Sequence, residues 1–300
     1  MNAPIRTVNL SKTFRRKHAV SQLNLEVPAG SIYGLIGPNG AGKTTTIKLL
    51  MNIVRPSAGS AEVLGIDSRH LAPAQFARIG YVSENQELPG EMTVDYFLRY
   101  LKPFYPAWDD ALAAELVRQF DLPRDRRLRH LSRGMRMKAA LASSLAYHPE
   151  LIVLDEPFSG LDALVRQEFI QGLLERAENT TILISSHDLA EIESFASHIA
   201  YLDNGRLTFA EEAAALADRF RNVEVIFDDS PALPSNWPRT WVQPQTSAAV
   251  LRFVETRFDR ERTQAELSRM FPNARNIAFS PMTLKEIFLA LAMESRRAAA

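Results

Sequence analysis

Two kinds of apolar pattern alternate along most of the chain. Short unbroken or nearly unbroken runs, bounded by polar residues or glycine, occur at Ile32–Ile36, Ile79–Val82, Leu151–Leu154 and Ile182–Ile184. Such runs mark strands buried on both faces. Between them lie stretches with helical periodicity: Thr45–Leu50 and, within residues 92–148, the segments MTVDYFLRYL, DDALAAELVRQF and RMKAALASSLAY. These predict helices, with Thr93 as an N-cap and Asp109 and Asp110 enriching the start of the second. Two further strands are predicted near Ile5–Leu10 and Leu23–Val27, with a basic loop between them that holds Phe14. In SAGSAEVLGID, glycines punctuate short antiparallel strands and turns. LAEIESFASHIAYLDNGRL reads as a helix, a strand and a turn at Asn204-Gly205.

The pattern changes near residue 218. Pro231, Pro234, Pro238 and Pro244 mark a loop-rich stretch. Strands are predicted at Val223–Phe227 and Ala249–Val254, and helices at Arg260–Met270 and Thr283–Met293, which makes residues 218–300 a small α+β appendage. Composition is globular, at 46% hydrophobic and 23% charged over 300 residues. Thirty-five basic residues balance thirty-five acidic ones. That neutrality argues against a nucleic-acid binder driven by phosphate neutralisation, and leaves only a local patch to be considered. With no cysteine there is neither a disulfide framework nor a thiolate metal site. MNAPIRTVNLSKTF lacks the apolar core of a secretory signal. The longest apolar stretch, Ile287–Met293, is too short to cross a bilayer. If the protein works on membranes, another chain must supply the spans.

The strongest chemical signal follows the run Ile32–Ile36. Gly37-Pro38-Asn39-Gly40-Ala41-Gly42-Lys43-Thr44 has the form G-x-x-x-x-G-K-T between a predicted strand and a predicted helix, the context a phosphate-binding loop requires. Glycines let successive backbone N–H groups turn inward onto phosphate oxygens, and the helix start adds its positive dipole end. Lys43 would reach the β- and γ-phosphates and the Thr44 hydroxyl would sit on Mg²⁺. Thr45 completes the loop.

Other strand ends carry further groups. The run at 151–154 ends in Asp155-Glu156. One carboxylate there can hold Mg²⁺ and a second can orient or deprotonate an attacking water. The strand at 79–83 ends in Glu84, and the β-branched strand at 180–186 ends in His187, in phase with the carboxylates. Phe14 is either a core aromatic or a ring that stacks on a purine. Arg124–Arg136 is either a solvated face or a phosphate neighbour. Tyr96, Phe97, Tyr100, Phe104, Tyr105 and Trp108 form either the core of a helical subdomain or partly a docking surface.

Leu131-Ser132-Arg133-Gly134-Met135 stands before Asp155 at a predicted helix start, and Ser159-Gly160-Leu161-Asp162 follows Glu156. With the phosphate loop and His187, this ordered set resembles the nucleotide-binding subunits of ATP-binding cassette (ABC) transporters over about residues 4–217. The LSRGM segment stands where that family has LSGGQ. The resemblance implies an α/β fold: a P-loop nucleotide hydrolase core with an antiparallel β subdomain and a helical subdomain at about 88–148. The cassette domain is expected over 1–217. It implies ATP and Mg²⁺ as ligands. Phe14 falls at the adenine-stacking position, Ser132, Gly134 and Asp162 at positions that act across a dimer interface, and Thr44, Glu84 and Asp155 at the Mg²⁺. Glu156 would polarise water and His187 would stabilise the γ-phosphoryl group. Two departures stand out: Glu84 replaces the family's glutamine, and Arg133 and Met135 replace glycine and glutamine.

The implied partners are integral-membrane permease chains and a second ATP-binding subunit, at the cytoplasmic face of the cell membrane. The resemblance favours an exporter. A soluble ATPase acting on ribosomes or DNA is the second class, though one cassette and no heptad run speak against it. An ATP-dependent regulatory switch is the third, kept open by Glu84. No N-K-x-D motif occurs, so guanine is not the expected base.

Overall fold

In chain order the cassette region contains β1 (Ile5–Phe14), β2 (Lys17–Leu23), β3 (Glu26–Val27), β4 (Ile32–Ile36), α1 (Lys43–Leu50), β5 (Ala58–Val63), β6 (Ile66–Asp67), α2 (Pro73–Phe76), β7 (Ile79–Ser83), α3 (Val94–Leu101), α4 (Asp110–Gln119), α5 (Arg133–Leu145), β8 (Leu151–Asp155), α6 (Ala163–Leu174), β9 (Thr181–Ser186), β10 (His198–Asp203) and β11 (Arg206–Glu212). The computed structural model describes residues 3–175, 180–229 and 236–299. It divides into two compact units, 1–210 and 211–300.

The four apolar runs are neighbouring strands of one sheet, in the order β11-β10-β4-β9-β8-β7. β10, β4, β9, β8 and β7 are all parallel. Every residue of β8 and β9 is buried, so unbroken apolar sequence rather than alternation is what their positions demand. The register pairs Ile36 with Ser186, Asp155 with Ser185, and Ser83 with Asp155. These strands therefore end level, and the segments that follow them leave from one edge of the sheet.

A second, antiparallel sheet has the order β2-β1-β5-β6, with β3 also paired to β1. Ile5, Leu10, Val20 and Val63 from this sheet join Leu35, Ile47, Leu151 and Leu183 in one buried cluster. Among the helices, α3 and α4 pack on α5, and α5 packs on β7. Thr93 caps α3 by accepting from the Tyr96 amide, and Asp109 caps α4 by accepting from Ala111 and Leu112. Of the six clustered aromatics, Phe97 is buried and Tyr105 stacks on Tyr147, while Tyr96, Tyr100 and Phe104 are exposed.

Two local expectations in this region need correction. Residues 10–23 hold no long basic loop: β1 and β2 form a hairpin that turns at Arg15-Arg16, with Phe14 opposite Lys17. Arg15 takes a positive φ of 51° there. The helix expected after His187 is a single 3₁₀ turn, Leu189–Glu191. Side-chain bonds stop it: Glu191 is buried, accepts from Ser186 Oγ at 2.5 Å and pairs with Arg166 of α6 at 3.5 Å, and Asp188 caps the turn through the Ala190 amide. No described helix is long and apolar enough to span a membrane.

The second unit contains α7 (Ala213–Arg219), β12 (Arg221–Ile226), β13 (Trp241–Ser247), β14 (Val250–Glu255), α8 (Arg260–Met270), β15 (Asn276–Pro281) and α9 (Leu284–Ala299). Its sheet order is β13-β14-β12-β15. Pro244, expected in a loop, lies inside β13. It is tolerated because β13 is an edge strand with a break in register between Val242 and Gln245. Pro231 and Pro234 lie outside the described residues. Trp241, Phe253 and Leu267 centre the core of this unit, and the Trp241 indole donates to the buried Glu255 carboxylate at 2.6 Å.

The seat of the loop after β4 is tight. A Cβ on Gly37 would lie 2.2 Å from the Leu202 carbonyl oxygen of β10, a backbone atom that cannot swing aside. Gly37→Ala is expected to lower stability by about 1–3 kcal/mol, the usual cost of forcing atoms into a filled site. Denaturant unfolding followed by circular dichroism measures it.

Candidate active site

The residues that leave the level strand ends surround an open pocket of about 570 Å³. Its wall holds Phe14, Lys17, Ala19, Asn39 through Thr45, Glu84, Glu156, Ser159 and His187. The loop reaches this shape through Gly40 and Gly42, with φ of 83° and 105°. At Gly42 a Cβ would also lie 2.4 Å from the Ala19 carbonyl oxygen, so glycine is required twice over. α1 begins at Lys43 and points its N-terminus into the loop.

Charged groups meet at the head of the pocket. Lys43 Nζ lies 3.0 Å from Glu156 Oε1 and donates to the Gly37 carbonyl at 2.7 Å and the Pro38 carbonyl at 3.3 Å. Glu156 Oε2 bonds His187 Nδ1 at 2.7 Å and accepts from the His187 amide at 3.3 Å. Thr44 Oγ1 donates to Asp155 Oδ1 at 3.0 Å, which also accepts from Ser185 Oγ at 2.8 Å. Ser185 Oγ in turn accepts from the Glu156 amide at 3.0 Å. Glu156 sits at φ 50°, a left-handed conformation that costs a non-glycine residue about 1–3 kcal/mol. The Ser185 bond and the ion pairs hold it there.

Electrostatics separate the two carboxylates. Burial pushes Asp155 up, with hydroxyl hydrogen bonds from Ser185 and Thr44 opposing and the Glu156 charge adding to the rise. Burial also raises Glu156, but the hydrogen bonds from His187 and Lys43 outweigh it and hold Glu156 below its ordinary range. The same hydrogen bond to Glu156 raises His187 above 6.5. The site thus holds one carboxylate low, between Lys43 and the His187 imidazole. It leaves the other short of positive charge.

Phe14 ends β1 with its side chain exposed at the pocket wall, so it is no core aromatic, and Lys12 Nζ lies 4.9 Å from its ring centroid. Ser132, Gly134 and Asp162 do not line the pocket. Ser132 caps α5 by accepting from the Met135 amide, and Asp162 caps α6 by accepting from Val165. Glu84 Oε1 accepts from Ser159 Oγ at 2.8 Å and pairs with Arg133 Nη2.

The ABC transporter family model matches residues 20–159. The daunorubicin/doxorubicin resistance ATP-binding protein DrrA of Streptomyces peucetius is 32% identical across 96% of this chain and 92% of its own. The chain belongs to the ABC transporter family. The bacitracin transport ATP-binding protein BcrA of Enterococcus faecalis is 31% identical over 74% of this chain and 73% of its own. A solved ATP-binding subunit of an ABC transporter superposes with a TM-score of 0.65 at 27% identity, covering 71% of this chain and 92% of that one. As a cassette of this family the chain binds ATP, hydrolyses it and serves as the ATP-binding subunit of a transporter.

Within the cassette, sequence reasoning gave no site role to Ser185 or Lys17, and took Ser159 only as part of the Ser159–Asp162 segment. Ser185 had a usable signal: it is the polar residue of β9 that pairs with Asp155 in a parallel sheet. Lys17 had none, because only the β1–β2 hairpin brings it to the pocket, and the bond from Ser159 to Glu84 is made only in the fold.

The Glu156–His187 pair predicts a pH signature. With its pKa raised, His187 contributes stability fully below its unfolded value, and this is lost as pH rises through the folded value. Glu156, held low, contributes above its unfolded value and loses that contribution as pH falls through its folded one. An NMR titration of the imidazole is expected to give a midpoint above 6.5 in the wild type and a lower one in Glu156→Gln. Equal midpoints would show that the pair is not formed in solution.

Proposed function

We propose that this chain is the motor subunit of an exporter, working as a dimer with composite ATP sites beneath separate permease chains. The observation that carries the catalytic part is the Lys43–Glu156–His187 cluster at the head of a pocket walled by Phe14 and the phosphate loop. Export is supported by relatives whose names concern drug resistance and Nod factor export.

Phe14 stacks on adenine. The amides of residues 38–44, the start of α1 and Lys43 take the phosphates, and Lys43 exchanges its bond to Glu156 for phosphate oxygen. Thr44, Asp155 and Glu84 fit Mg²⁺: all offer hard oxygen, and Asp155 is a buried carboxylate short of positive charge. No cluster of three or more His, Cys, Asp or Glu suited to a metal ion occurs among the described residues. The remaining ligands must therefore be phosphate and water, the usual way Mg²⁺ is held. The ion would neutralise charge on the phosphates. Glu156 orients and deprotonates the attacking water. His187 stabilises charge on the transferring γ-phosphoryl group as a hydrogen-bond donor at the pocket wall.

Ser132 and Gly134 lie off the pocket of their own chain and act on ATP held by the second subunit, with Asp162 between the two sites. ATP and ADP then differ in how strongly they join the subunits, and that difference drives the permease. The permease selects the cargo. The cassette sits at the cytoplasmic face of the membrane.

Glu156→Gln is expected to lower ATP turnover at least about 10²-fold, the lower range for loss of a general base, and to leave an ATP-bound dimer on light scattering. Rapid multiple turnover by this variant would sink the assignment. Wild-type activity is expected to rise faster than linearly with protein concentration in dilute assays. From native membranes in mild detergent with ATP, tagged Glu156→Gln is expected to bring down a polytopic membrane protein in stoichiometric yield. Recovery with ribosomes, with DNA or alone moves the function to a soluble ATPase or a regulatory switch.

A further inference from the structure

The two departures from the family pattern in this chain, Glu84 and Arg133, touch each other. Glu84 follows β7, with its amide donating to the Asp155 carbonyl at 3.0 Å. Its carboxylate takes Arg133 Nη2 from the first turn of α5 and Ser159 Oγ from the turn after Glu156. The guanidinium lies against that same turn, where a Cβ on Gly160 would be 3.2 Å from Arg133 Cζ. One carboxylate thus ties α5, the 159–160 turn and the end of β7 together. Glu84 also belongs to two pockets: the nucleotide pocket, and a neighbouring one of about 470 Å³ that Arg133 lines.

The charges explain the pairing. Arg133 occupies the first position of α5, where a cation opposes the helix dipole, and the first turn of α5 has no acidic residue. Glu84 supplies the anion from another element. The pair is partly exposed, with side-chain accessibilities of 44% and 28%. Pairs of this kind are weak, and a weak pair is readily exchanged for a stronger partner.

We propose that Arg133 is a positioning residue that holds Glu84 as an ionic latch on α5, and that Mg²⁺ bound with ATP competes with Arg133 for the Glu84 carboxylate. This rests on the reading of Glu84 as a Mg²⁺ ligand. Opening the latch removes the charge tie that links the first turn of α5 and the 159–160 turn to the end of β7, while the packing of α5 on β7 stays. Mg²⁺ arrival is thereby coupled to the position of the LSRGM segment, through a charge pair that a Gln–Gly combination at these positions does not have.

The test is equilibrium binding of a fluorescent, non-hydrolysable ATP analogue titrated with MgCl₂. Arg133→Gln is expected to lower the half-saturating Mg²⁺ concentration by about two- to five-fold, the range for a partly exposed pair. Arg133→Lys, which keeps the charge, stays nearer the wild type. In a Glu84→Ala background, itself needing more Mg²⁺, Arg133→Gln is expected to make no further difference. Arg136→Gln controls for loss of a nearby charge, and circular dichroism confirms that each variant is folded. If Glu84→Ala weakens Mg²⁺ binding while Arg133→Gln changes nothing, the latch is overturned and the Glu84 reading stands. If neither variant shifts the titration, both fall. If Arg136→Gln, or Arg133→Gln in the Glu84→Ala background, gives the same fall, the effect is bulk charge and the latch is overturned.

Discussion

The parallel register of β7, β8, β9 and β4 is the constraint on which the site depends. Ser83, Asp155, Ser185, Ser186 and Ile36 end level because the ladder pairs them so. In a parallel sheet the next residues all leave on the same side. Gly37, Glu84, Glu156 and His187 come from segments far apart in sequence, and each is the first residue after its strand. A one-residue slip in any strand would turn its side chains to the opposite face and move its terminal group away from the pocket. Close packing on both faces of β8 and β9 resists that slip, since it would misfit every side chain and carry Asp155 away from the Thr44 and Ser185 hydroxyls that bond it.

That register also creates an electrostatic problem. Asp155 and Glu156 are adjacent, and both are largely withdrawn from water. Breaking a buried ion pair typically costs roughly 3–5 kcal/mol, because it leaves a charge without a partner. Lys43 and His187 supply partners for Glu156, whereas Asp155 receives hydrogen bonds from two hydroxyls. The stored left-handed backbone at Glu156 fits this picture: the carboxylate is held toward Lys43 and His187 by its surroundings. Anions entering the loop would exchange with Glu156 for Lys43. Cations beside Asp155 would relieve its burial.

Legibility followed the range of the interactions. Phosphate loop, strand ends and helix caps depend on neighbours within a few residues, so Gly37–Thr44, Thr93 and Asp109 could be read directly. The helix predicted after His187 was read from local periodicity, and Glu191 overrode it by turning inward to Ser186 and to Arg166 of α6. β13 was hidden by Pro244, because an edge strand with a register break tolerates a residue that normally signals a loop. Phe14 looked like part of a loop because its stretch is basic and polar, and β1 runs on to Phe14 only as part of a sheet whose other neighbour, β5, is distant in sequence.

By itself, the sequence determined the class of chemistry and the class of fold. The order of the phosphate loop, LSRGM, Asp155-Glu156 and His187 is a one-dimensional pattern, and the apolar periods declare strands and helices wherever burial is uniform. Only the tertiary structure decided which groups share an atom. Ser185 serves both Asp155 and the Glu156 amide, and Glu84 is engaged by Ser159 and Arg133 together. Such contacts join residues up to 75 positions apart. Their geometry is set by strand register and by the packing of α5 on β7, neither of which any local stretch of sequence encodes.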